Sequence, residues 1–349
     1  MNDLIAILNS GGSLSADDIA RAAEALLADS VDDAEKAAFL VALAEKGESP
    51  EEIAAFVEAF LGRAVTPDLG GAGGGGGGEP LLDVCGTGGD KLDLFNVSTS
   101  AVFVLAGAGV RVVKHGNRGI TSKSGGADVL EALGIRIDPP PDRIGDCLEA
   151  VGAAFLFAPR YHPAFKAVVK VRQALAAEGR RTIFNLLGPL LNPARPTHQL
   201  IGVFSGDLAP VFAKILARLG RKRAWAVHGT TETGAGMDEI STLGSSTVWK
   251  VADGAVLGGE TVTPADLGLA PATLGDLRGG DAAENAKILT AILDGTERGP
   301  KRDIVLLNAA AGLTICGRAA DLGDGLRLAA EAIDSGAAME KLGAWREFH

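Results

Sequence analysis

Four stretches of this 349-residue chain hold residues able to grip an anion or a metal. The first, Cys85-Gly-Thr-Gly-Gly-Asp90, leaves the apolar run LLDVC and leads to Asn96-Val97-Ser98-Thr99. Its glycines let the backbone approach an anion, and the Asn-Val-Ser-Thr stretch presents hydroxyls and N–H groups at the start of the next helix. The same kind of turn also arises for packing alone. The second stretch follows a strand-like run and packs Lys114, His115, Arg118 and Lys123 into ten positions among small hydroxyl residues. A compact ammonium and a planar guanidinium both suit pyrophosphate oxygens, although a solvated basic loop has the same composition. In the third, Asp238 and Glu239 follow Gly234-Ala-Gly236. Adjacent carboxylates facing a phosphate form a platform for Mg²⁺, and they also decorate helix N-termini. The fourth, RRTIFNLLGPLLNPARP from Arg180, reads as a rigid apolar wall rather than a helix. His162 ahead of it could be a base or ligand, or a capping or packed histidine.

Elements must position these groups. Ser15 opens an S-x-x-D box closing at Asp18, Ser30 a second closing at Asp33, and Ser49-Pro50 with Glu52 starts a third helix. The opening region therefore reads as all helix. Gly70 to Gly78, broken only by Ala72, has nothing to bury and reads as a linker. It lacks the Lys and Ser/Thr of a P-loop. Beyond it, short apolar runs begin at Leu81, Val110, Leu200, Ala224 and Asp303, as strands of a sheet buried on both faces do. Residues 165–178 read as a helix set off by His162-Pro163 and Gly179.

The balance of charge limits the partners. A net charge of -11 and a pI near 5.0 disfavour general binding to nucleic acid, so an anionic ligand needs a local site. Three widely spaced cysteines, Cys85, Cys147 and Cys316, form no CxxC pair and fit a reducing, cytoplasmic setting. The N-terminal stretch lacks a basic segment and fails as a signal peptide, and no apolar run is long enough for a membrane span.

In order along the chain, GTGGD, FNVST, KHGNR, SKSG, ADVLEALG, TIFNLLGPLLNPA and MDE resemble the anthranilate phosphoribosyltransferase family. The resemblance runs from the N-terminal helices to about residue 310. It implies an α/β fold: a small all-helical domain plus a large α/β domain whose central, mostly parallel sheet is flanked by helices, with a Mg-pyrophosphate sugar donor in the cleft between them. The small domain is expected over 1–69 completed by 162–185, the linker over 70–79, and the large domain over 80–161 and 186–349. The implied reaction, in tryptophan biosynthesis, joins C1 of phosphoribosyl pyrophosphate to the amine of anthranilate and releases pyrophosphate. The implied assembly is a homodimer formed through the helical domain, and the implied cofactor is Mg²⁺, with two ions.

Carried onto this chain, the resemblance puts Gly86, Gly89, Asp90, Asn96, Val97, Ser98, Thr99, Lys114 and Ser122 around the donor. Ser98 would ligate one Mg²⁺, and Asp238 with Glu239 the other. Lys114 and Mg²⁺ would stabilise the departing pyrophosphate, with no obligatory general base. Asn117 and Arg172 would face the anthranilate carboxylate, with Gly86, His115, Gly188 and Pro189 lining its approach. The chain departs from the family pattern at Lys91, where Gly is usual, at Leu94 and at Gly126, and is about three residues longer after Arg172. A different aromatic amine or a nucleobase is the alternative acceptor, and a nucleic-acid-binding paralogue the alternative class.

Overall fold

The structure is a computed structural model that describes residues 1–72, 79–119 and 123–348. The chain forms two compact units, one from Met1–Val65 and Pro159–Pro193, the other from Thr66–Ala158 and Ala194–His349. The returning piece of the first unit thus runs over 159–193, against the expected 162–185.

Helices α1 (Asn2–Asn9), α2 (Ala16–Leu27), α3 (Asp33–Lys46) and α4 (Pro50–Leu61) open the first unit. Ser15 and Ser49 each close a capping box, with Asp18 and Glu52. Ser30 does not cap α3: Asp32 takes the N-cap position, directly before the first helical residue. Glu52 also accepts from Leu14 N–H at 3.0 Å and pairs with Lys46 at 2.5 Å, so its burial is compensated.

In the second unit come β1 (Leu81–Gly86), α5 (Val97–Gly107), β2 (Arg111–Gly116), α6 (Gly126–Ala132), α7 (Ile144–Val151) and β3 (Ala153–Phe157). The chain then forms α8 (Ala158–Tyr161), α9 (Val169–Ala177) and α10 (Phe184–Leu187). The helix expected over 165–178 is split, its first part being a 3-10 segment, Pro163–Val168. The expected apolar wall carries α10 and a 3-10 turn, Gly188–Leu190. Phe60 of α4 packs against Phe165 and Phe184 with ring centroids 5.1 and 5.8 Å apart, which joins the two pieces of the first unit.

Back in the second unit follow β4 (His198–Gly202), α11 (Leu208–Arg218), β5 (Arg223–Thr230), β6 (Gly236–Met237), β7 (Ser246–Ala252) and β8 (Ala255–Val262). The chain closes with α12 (Leu274–Leu277), α13 (Ala282–Leu293), α14 (Pro300–Ile315), α15 (Leu322–Asp334) and α16 (Ala337–Glu347). The sheet runs β3-β2-β1-β4-β5-β7-β8. Its first five strands are parallel, β7 and β8 are antiparallel, and β6 pairs with β5. The run expected as a strand at Asp303 is instead part of α14, which is buried on every side from Ile304 to Ile315. Burial all round removes the 3.6-residue polar stripe that marks a helix.

Candidate active site

From β1 the chain moves outward through β2 to β3, and from β4 the opposite way to β5. The neighbouring carboxyl ends of β1 and β4 therefore form a switch point, where open α/β sheets bind ligands. Gly86 and Gly202 end these strands in register. Neither can carry a side chain. A Cβ on Gly86 would strike the Asp238 carboxylate, one on Gly202 the Asp238 carbonyl, and one on Gly229 of β5 the Glu239 carbonyl. Three strand ends are bare where the Asp238-Glu239 turn crosses them.

The loop after β1 wraps that turn. Gly88 and Gly89 take φ of 67° and 86°, and Gly88 N–H donates to the Asp238 carboxylate at 2.6 Å. Thr87 N–H bonds to Gly202 C=O at 2.9 Å. Lys91, the departure from glycine, also sits at positive φ, 59°, where a side chain is strained by about 1 kcal/mol.

α5 begins beside the same strand ends. Asn96 is its N-cap but makes no side-chain cap bond. Its amide instead donates to Ser124 C=O at 3.1 Å and accepts from Asn285 at 2.9 Å. Ser98 N–H donates to Glu239. Val97 and Thr99 are buried in this first turn. Lys114 reaches in from β2, only 5% exposed, with its ammonium 2.6 Å from Val84 C=O and 3.1 Å from Ser98 Oγ. Burial and the neighbouring Asp90 raise Asp238 to about 7. Burial and the Asp238 charge drive Glu239 well above the usual carboxylate range, against the pull of Lys114. Burial first, and mutual repulsion second, disfavour the charged forms of these carboxylates, and a bound cation would offset both; oxygen donors of this kind suit Mg²⁺. Among the described residues no three acidic, histidine or cysteine side chains already stand at metal-binding spacing. Burial also raises the Cys85 thiol, which makes it a poor nucleophile.

The cationic loop leaves β2 beside this cluster. His115 is half-buried, and exposed Asn117 accepts from Arg118 N–H at 2.8 Å. Asp128 ties the loop down, accepting from Gly119 and Gly125 N–H at 2.8 Å each. Arg118 is engaged by Glu131. Ser122 lies outside the described residues.

The first unit carries Arg172, Gly188 and Pro189. Arg172, on α9, stacks its guanidinium 4.8 Å from the centre of the Phe184 ring. It is half-buried and forms no hydrogen bond or ion pair among the described residues, and burial lowers its pKa. Gly188 faces open space and Pro189 is buried. His162 is a packed histidine: it is buried, bonded to Leu191 C=O at 2.8 Å and stacked on Phe165.

The structure thus brings Gly86, Asp90, Asn96, Ser98, Lys114, Asp238 and Glu239 together at the carboxyl ends of the central strands. Sequence reasoning missed Gly202 and Gly229, whose parts depend on contacts across the fold, and Asp128, whose bonds lie within nine residues. Only Asp128 carried a local signal, as the fourth residue of a G-x-x-D cap after the basic loop.

Residues 2–64 match the helical bundle domain of the glycosyl transferase family, and residues 78–339 match that family's a/b domain. The class is a glycosyltransferase built from those two domains. The anthranilate phosphoribosyltransferase of Anaeromyxobacter dehalogenans is 48% identical over 338 residues, 94% of each chain, and that of Moorella thermoacetica is 47% identical over 96% of this chain and 94% of its own. The crystal structure of the Thermus thermophilus anthranilate phosphoribosyltransferase superposes with a TM-score of 0.89 at 40% identity, covering 99% of both chains. The Saccharomyces cerevisiae enzyme, in complex with PRPP and Mg, does so with a TM-score of 0.85 at 29% identity, over 99% of this chain and 97% of that one. The chain belongs to the anthranilate phosphoribosyltransferase family.

Proposed function

We propose that this chain transfers the phosphoribosyl group of phosphoribosyl pyrophosphate to the amine of anthranilate, a step of tryptophan biosynthesis. The C1–oxygen bond breaks with its electron pair leaving on pyrophosphate, the amine nitrogen bonds to C1, and the amine gives up one proton. The observation that carries this reading is the set of buried Lys114 and half-buried Asp238 and Glu239 at the switch point, against the N-terminus of α5.

Gly86, Gly89, Asp90 and the first turn of α5 would cradle the pyrophosphate through backbone N–H groups and hydroxyls. Lys114, already held by Val84 and Ser98, supplies fixed positive charge with little reorganisation. Ser98, Asp238 and Glu239 would hold Mg²⁺, two ions in this reading. The bound metal supplies further neutralisation of the leaving group. Arg172, stacked and without an anionic partner among the described residues, suits a planar carboxylate, with Asn117 as a second donor. Gly86, His115, Gly188 and Pro189 would line the acceptor's approach. An aromatic amine is a free nucleophile at neutral pH, so positioning rather than a general base carries the rate.

A homodimer formed through the helical unit and a cytoplasmic setting complete the proposal. Three free cysteines accord with the latter. No helix among the described residues is long and apolar enough to cross a membrane. The test is loss of anthranilate fluorescence on mixing with phosphoribosyl pyrophosphate and Mg²⁺. Asp238→Asn is expected to lower turnover by on the order of 10²-fold or more. Turnover near wild type at limiting Mg²⁺ would remove Asp238 from the metal site.

A further inference from the structure

The Asp238-Glu239 turn belongs to no helix and to no strand, so something else must fix its two carboxylates. On its N-terminal side the short strand β6 pairs Met237 with Gly229. On its C-terminal side the first residue is Ile240, which is fully buried, so its peptide groups need partners inside the protein. Both find one in the same side chain. Asn308 Oδ1 accepts from Ile240 N–H at 3.0 Å, and Asn308 Nδ2 donates to Ile240 C=O at 3.0 Å. The amide thus grips both sides of a single residue, much as a neighbouring strand would.

The grip is itself rigid. Nδ2 also donates to Ile304 C=O one turn back on α14, at 2.9 Å, which fixes the amide plane and decides which end is oxygen. Asn308 is 2% exposed, on a helix buried on every side. Its side chain lines the same small cavity as Glu239 and Ser98. A buried asparagine in the 304–315 stretch, otherwise made of apolar and small residues, leaves polar groups orphaned if it is lost, and each such group costs about 1–3 kcal/mol.

We infer that Asn308 is a positioning residue for the metal-binding turn, setting where Asp238 and Glu239 stand through the peptide of Ile240. The inference rests on the proposed role of those carboxylates. Asn308 acts through the Ile240 peptide, to whose N–H and C=O it is bonded. Its contribution is to the geometry of the metal's ligands, so its loss acts on the metal and the donor and not on the acceptor.

The experiment compares Asn308→Ala and the milder Asn308→Ser with Asp238→Asn and with Thr314→Val. Thr314 lies on the same helix, bonded to Ala310 C=O at 2.8 Å and to Asp321 C=O at 3.1 Å, and so reports simple loss of helix stability. Binding of Mn²⁺ in the presence of phosphoribosyl pyrophosphate is followed by electron paramagnetic resonance, alongside melting temperature and both KM values. Asn308→Ala is expected to weaken Mn²⁺ binding and raise the donor KM by about tenfold, with the anthranilate KM within twofold of wild type. Thr314→Val is expected to melt earlier and leave both KM values in place. If Asn308→Ala does not fold, Asn308→Ser carries the same comparison. A folded Asn308 variant with unchanged Mn²⁺ binding, or with equal changes in both KM values, overturns the inference while Asp238→Asn still weakens the metal. If Asp238→Asn also leaves Mn²⁺ binding unchanged, the metal reading itself falls.

Discussion

Gly202→Ala puts the seating of the carboxylate turn under direct strain. The added Cβ would overlap the carbonyl group of Asp238, which is backbone and cannot swing aside as a long side chain does. Real Cβ atoms essentially never approach a neighbour closer than 3.0 Å, and the Cβ here falls far inside that limit. The turn must then retreat by more than about 1 Å, a displacement that costs on the order of 10²-fold in rate when it affects a reacting constellation. Overpacking of the strand end adds about 1–3 kcal/mol of instability. Initial rates of anthranilate fluorescence loss at varied donor concentration give kcat/KM, and calorimetry gives the melting temperature. Gly343→Ala is the control, since it lies on α16 with open space around it and gains helix propensity. A folded Gly202→Ala enzyme with kcat/KM within twofold of wild type would refute the reasoning that β4 ends bare in order to seat Asp238.

Two further predictions probe other parts of the chain. Arg172→Ala is expected to raise the anthranilate KM by about tenfold or more, the value of a charged hydrogen bond, and to leave the donor KM alone. Steady-state kinetics with each substrate varied checks this, and equal effects on both would remove Arg172 from the acceptor site. Burial, with help from Arg223 and Lys222, lowers His198 to about 4. Between that value and its ordinary pKa near 6.5 the unfolded chain binds a proton that the folded chain refuses, so stability falls by about 1.4 kcal/mol per unit as pH drops through this window. His198→Gln is expected to flatten that slope in urea melts at pH 7, 6 and 5, and parallel slopes in the two proteins would exclude the histidine as its source.

What could be read from the sequence was local chemistry. Ser15 and Ser49 announce their helices because a cap is made within four residues. Ser30 misled because Asp32, two residues on, is a residue type equally favoured at the N-cap and takes that position next to the helix, although its side chain makes no cap bond. The α14 segment looked like a strand because a fully buried helix and a fully buried strand are both unbroken apolar runs. AAFLF of β3 passed unremarked for the converse reason, being short and flanked by helix. At the site, the glycine turn, Lys114 and the Asp-Glu pair were visible as residue types suited to phosphate and metal. Gly202, Gly229 and Asn308 were not, because each matters only through a backbone group between ten and 68 positions away. Lys91 stood out as a departure, but only the φ of 59° shows that a left-handed backbone underlies it.

The helical unit is made of two pieces of chain, and this has a consequence during synthesis. Phe60 must wait for Phe165 and Phe184, and Lys36 for the Ala167 carbonyl to which it donates at 3.0 Å. At ordinary elongation rates the hundred or so intervening residues take about 5 to 20 s to emerge. For that interval α3 and α4 have left the ribosome with the apolar faces meant for α9 and α10 uncovered. The part of the protein made first is therefore completed late, after β1, β2 and β3 have been translated.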